Sequence, residues 1–93
     1  MIVVYLELTL RAPMCNSLKD KRSVVRRLKA SLRAAMDASV CEASAQEHHR
    51  LIVLAVAALA FDSAQADAMA QRLTHVAECA ADAELIRVEK EYR

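Results

Sequence analysis

The sequence predicts an α+β domain with the element order β-α-β-β-α-β, and three observations carry that expectation. Apolar and polar residues alternate from Ile2 to Arg11. Two later stretches repeat apolar residues at helical spacing, each behind a capping residue. Short β-prone runs lie between those stretches and at the end. The 93 residues are enough for a single domain spanning 1–93, and a 56% hydrophobic content supports one core and excludes disorder.

The first run places Ile2, Val4, Leu6, Leu8 and Leu10 on one face and Val3, Tyr5, Glu7, Thr9 and Arg11 on the other, the period of a half-buried strand. Pro13, the only proline, lies in the break that follows. Asn16 or Ser17 can cap a helix, and Ser17-Leu18-Lys19-Asp20 resembles a capping box with Asp in the Glu position. Leu18, Val25, Leu28, Leu32 and Met36 then form an apolar stripe. Val40 to Ala43 is short and β-like, and the polar stretch Ser44 to His49 reads as a loop.

Leu51 to Phe61 is continuously apolar, so periodicity alone does not separate strand from helix. Strand is preferred because a helix start follows at once. Asp62 caps with Gln65 three residues on, ahead of a stripe of Ala66, Met69, Ala70, Leu73, Val76, Ala77 and Ala80. Leu85 to Tyr92 alternates Ile86 and Val88 with Arg87 and Glu89, the pattern of a charged edge strand. Two right-handed crossovers joined by a hairpin give the ferredoxin-like split arrangement. That arrangement has a four-stranded antiparallel sheet of order 4-1-3-2 with two helices on one face.

The chain contains no glycine, so Asn, Asp or longer loops are expected wherever positive φ is needed. No run reads as a signal peptide, and the eleven-residue Leu51–Phe61 run is too short to span a bilayer as a helix. Three widely spaced cysteines, Cys15, Cys41 and Cys79, suit the cytoplasm better than a secreted disulfide framework.

Charge is distributed unevenly. From Ser17 to Met36 there are seven basic residues and one acid, a net +6, against −5 for the remainder. On a helix Arg22, Arg26, Lys29 and Arg33 fall at i, i+4, i+7 and i+11, a stripe flanking the apolar arc, with Lys19 near it and Arg27 on the far side. Such a ridge can follow a phosphate backbone or meet an acidic protein surface, which makes RNA or an acidic protein a candidate partner. It also fits a solvated face whose stems cover the core margin, or one paired with acids on a neighbouring element. Lys21 projects into the apolar arc. It reads as snorkelling past the sheet edge, with a ligand-holding role as the alternative.

The outward side of the first strand, including Val3 and Tyr5, lies beside a third strand that is apolar on both faces, which points to self-association through the open sheet face. Base stacking on that face is a weak reading, because only Tyr5 and Phe61 could serve. No catalytic constellation, metal set or cofactor motif emerges. His48-His49 reads as a pair of surface-loop histidines, His75 as solvated, and the thiols as small structural groups.

The run Ser17-Leu18-Lys19-Asp20-Lys21-Arg22-Ser23-Val24 resembles the signature of the YlxP-like family of small bacterial proteins of unknown function. The likeness extends through Ser39-Val40-Cys41-Glu42 and Gln46 to Asp62, with Met1-Ile2-Val3 and Asp82-Ala83-Glu84-Leu85 at its edges. His49 stands where the family tends to have Trp, and Ala55 where it tends to have Gly. The resemblance implies a ferredoxin-like fold, a bacterial cytoplasmic setting and no established activity. In some bacteria the family's gene lies beside those for translation initiation factor two and ribosome-binding factor A, so the resemblance makes ribosome-linked work, with rRNA or a ribosomal subunit as partner, an expectation.

Overall fold

The alternating first run forms β1, Ile2–Arg11, in a computed structural model that describes residues 1–93. It is followed by α1 (Leu18–Ala35), β2 (Ser39–Ser44), β3 (Leu51–Ala60), α2 (Ser63–Glu78) and β4 (Glu84–Tyr92). The continuous apolar run is therefore a strand. Its β-branched first half and the Asp62 cap behind it outweigh the alanines.

The sheet order is β2-β3-β1-β4, with every neighbouring pair antiparallel, which is the expected 4-1-3-2 read from the opposite edge. The register of β1 on β3 sets Val4 beside Ala58, Leu6 beside Val56, Leu8 beside Leu54 and Leu10 beside Ile52. All eight are buried, so this is the inner face of the sheet. Val24, Val25, Leu28 and Leu32 of α1 join the same core as Ala66, Ala70, Leu73 and Ala77 of α2, so both helices cover that one face. Fully burying each Leu or Val contributes about 1.5–3 kcal/mol, and the alanine stripe of α2 lets that helix approach the sheet closely.

Both helix starts are capped as the sequence implies. Ser17 Oγ accepts from the Asp20 N–H at 3.1 Å, and the Asp20 carboxylate accepts from the Asn16 N–H at 3.0 Å. Asp62 accepts from the Gln65 N–H at 2.8 Å, and Gln65 Oε1 accepts from the Phe61 N–H at 2.6 Å. In both boxes the third-position side chain reaches one residue beyond the cap, where it ties down the incoming chain.

Without glycine the positive φ falls in a longer loop, as expected, but on an alanine and not on Asn or Asp. Neither helix ends on a left-handed residue; the only positive φ is 58° at Ala45, in the β2–β3 connection. An alanine there costs roughly 1–2 kcal/mol, so something must hold it.

Candidate functional site

What holds Ala45 is Lys21. Its spacing from Val25, Leu28 and Leu32 places it on the buried side of α1, and its side chain is only 1% exposed. Nζ donates to Ala45 O at 2.6 Å and His48 O at 2.9 Å, and lies 2.7 Å from Glu42 Oε2. A lysine ammonium has three donors, and all three are directed at oxygens of the chain itself. Glu42 Oε2 is likewise buried, and the ammonium is its one partner. Lys21 therefore neither snorkels to solvent nor stands ready for a phosphate: it is withdrawn from the predicted RNA-binding set. Its burial is tolerated because the charge is paired and hydrogen-bonded in place.

The remaining cations are arranged as the helical projection requires. Arg22, Arg26, Lys29 and Arg33 line a groove of about 550 Å³ between α1 and the β2 edge, with Leu18, Val25 and the Lys21–Glu42 pair beneath and Gln46 on the far wall. Arg22, Arg26 and Arg33 are exposed, Lys29 is half-buried, and none of the four is paired with a carboxylate. Arg33 donates to Val40 O at 3.0 Å, which fixes its guanidinium against β2 while leaving its charge unneutralised. Lys19 is exposed but does not line the groove. Arg27, on the opposite flank, is paired with Asp82 at 2.5 Å, as its far-side position suggests.

The stripe runs eleven residue rises along the helix, about 16 Å, with neighbouring cations about 5–6 Å apart at Cβ. That interval is of the same order as the spacing of successive phosphates along one RNA strand. Four like charges on one wall are held there by the core on the other side of the helix, because Val24, Val25, Leu28 and Leu32 leave α1 no freedom to rotate.

Two groove residues, Glu42 and Gln46, had no assigned role in the sequence. A signal for Glu42 was present: it lies two residues beyond Val40, on the same face of β2 that the core buries, so the carboxylate must also point inward and needs a cation. Arg50 likewise acts at a distance, donating to Cys15 O at 3.1 Å and so pinning the β1–α1 connection beneath the same loop.

The histidines divide. His48 is exposed and contributes its carbonyl to Lys21, His49 is half-buried, and their rings lie 6.5 Å apart. His75 Nε2 sits 3.6 Å from the Sγ of Cys79, the residue that caps the end of α2. Val3 and Tyr5 are both half-buried on the outer face, where burial and the adjacent Glu7 carboxylate raise the Tyr5 pKa above its ordinary value. No helix is long and apolar enough to cross a membrane.

These features define a class: small α+β domains whose open four-stranded antiparallel sheet carries both helices on one side and a cationic groove at one edge. Within that class the chain belongs to the family described as protein of unknown function DUF503, whose model matches residues 3–90. No curated protein matches the chain. Among solved structures it is similar to "De novo designed protein Foldit4", with a TM-score of 0.53 and 11% identity over 98% of this chain and 96% of that one. At that identity the likeness concerns the fold alone.

Proposed function

We propose that this protein is a non-catalytic RNA-binding module of the bacterial cytoplasm, ferredoxin-like in arrangement, which docks the α1–β2 groove onto the phosphate backbone of ribosomal RNA. One observation supports this above the others. Arg22, Arg26, Lys29 and Arg33 line a single groove with no carboxylate on any of them, while Lys21 is spent internally on the loop, Arg27 on Asp82, and the exposed Lys19 stands outside the groove. Free cations at regular spacing gain affinity by releasing counterions from the nucleic acid. Gln46 on the opposite wall adds an amide that can donate to and accept from sugar or base edges.

The test is a titration of a fluorescent single-stranded RNA and of isolated ribosomal subunits across a salt series. Four phosphate contacts give a slope of log affinity on log salt of roughly −3 to −3.6. Arg22→Glu combined with Arg26→Glu should weaken binding at least tenfold and make the slope shallower. Wild-type affinity in that double variant refutes the proposal.

A further inference from the structure

The outer face of the sheet is uncovered and has a ridge and a trough side by side. On β1 and β4, Tyr5 and Glu91 are register partners, and the guanidinium of Arg93 lies over the Tyr5 ring at 4.9 Å from its centroid. Glu91 holds that guanidinium through contacts of 3.0 and 3.1 Å, and the Tyr5 hydroxyl donates to Glu7 at 3.3 Å. These groups stand above the sheet as a fixed ridge. On β3 and β2 the same rows carry only small side chains, with Ala57 beside Ser39 and Ala55 beside Cys41. One end of the face is apolar: Leu59, 62% exposed, pairs with Val3, and Phe61 and Met1 lie beyond at 77% and 75%.

We propose that two copies of this chain pack outer face to outer face about a two-fold axis that runs along the strands between β1 and β3. That operation places β1 of each copy over β3 of the other. The Tyr5 ridge enters the trough at the partner's Ala57, and the partner's Val3 meets Leu59. An isologous interface needs a surface complementary to itself, and a ridge beside a trough of matching length is one. The charged outer column of β4, including Arg87, Glu89 and Glu91, then lies over the short uncharged side chains Ser39 and Cys41 of the partner's β2. Within that column like charges are not brought face to face, and it forms the polar rim that interfaces carry; the Glu7 carboxylate, on β1 beside the axis, comes next to its symmetry mate and keeps the Tyr5 hydroxyl as its hydrogen-bond donor at 3.3 Å.

Area supports the same occupant. Strands about 4.8 Å apart and about 3.3 Å per residue make this face roughly 19 by 30 Å, or about 550 Å² per copy. The pair buries about 1,100 Å², above the roughly 1,000 Å² expected of a specific interface. The inference is independent of the RNA proposal, because the cationic groove lies on the helix side of the β2 edge.

Sedimentation of the full chain between 1 and 100 µM tests it. The wild type is expected at twice the 10.3 kDa of one chain. Ala57→Arg, which fills the trough without touching the core, should give monomers with an unchanged far-UV circular dichroism spectrum, and Tyr5→Ala should raise the dimer Kd at least tenfold. Arg22→Glu, in the groove, should leave association as in the wild type. A wild-type monomer at 100 µM, or an Ala57→Arg variant that stays dimeric, overturns the proposal.

Discussion

Replacing Lys21 with methionine isolates the tie between α1 and the β2–β3 loop, since methionine keeps much of the stem's volume and removes the charge. Three oxygens lose their partner: Ala45 O, His48 O and Glu42 Oε2, at 2.6, 2.9 and 2.7 Å in the native chain. Removing one member of a buried ion pair costs about 3–5 kcal/mol, because the other charge is left uncompensated. Here the lower end applies. The Glu42 side chain retains 21% exposure, and the two carbonyls belong to a surface loop that water can reach. A loss of about 3 kcal/mol is a large part of the roughly 5–15 kcal/mol that a domain has in total. At about 4–8 °C per kcal/mol for a domain this small, Tm should fall by about 12–24 °C.

Urea unfolding followed by far-UV circular dichroism at fixed protein concentration measures the loss as a lower midpoint with an unchanged slope. The second arm is Lys21→Met together with Glu42→Leu. Removing both charges leaves no unpaired carboxylate, so the double variant should recover more than half of what the single one loses. A Lys21→Met protein with the wild-type midpoint, or a double variant no better than the single, would refute the assignment of Lys21 as an internal tie.

Two further outcomes follow from the same geometry. Ala45→Gly relieves the cost of φ 58° at a residue with a Cβ, offset by the greater freedom of glycine in the unfolded chain, and should stabilise by about 0.5 kcal/mol in the same urea assay; Ala45→Val should destabilise. Tyr92 donates to Asp67 at 2.6 Å, and this hydrogen bond pushes its pKa from 10.0 up to about 12. The proton is held more tightly in the folded state. That contribution to stability is therefore complete below pH 10 and is lost as pH rises through about 12. In an absorbance titration at pH 10 neither Tyr5 nor Tyr92 should be half ionised, whereas Asp67→Asn should return one tyrosine to near 10; a wild-type titration centred on 10 would refute this.

The order and kind of the elements are legible in the chain alone, because local periods set them. The alternation of Ile2 to Arg11, the Ser17 and Asp62 caps, the alanine stripe of α2 and the row Arg22, Arg26, Lys29 and Arg33 all appear where local spacing puts them. The fate of Lys21 was not legible, since its partners lie 21 to 27 residues away and meet it only after β2 and β3 have closed their connection. The same holds for Ala45, whose left-handed backbone no local preference would select and a distant ammonium stabilises. Which side of β3 faces the helices was also open, because Leu51–Ala60 is apolar on both faces; the β1–β3 register decided it by setting Ile52, Leu54 and Val56 beside the buried row of β1. Local spacing fixes which side chains share a face. What each face meets depends on contacts between segments far apart in the chain, and only the closed tertiary structure brings those into being.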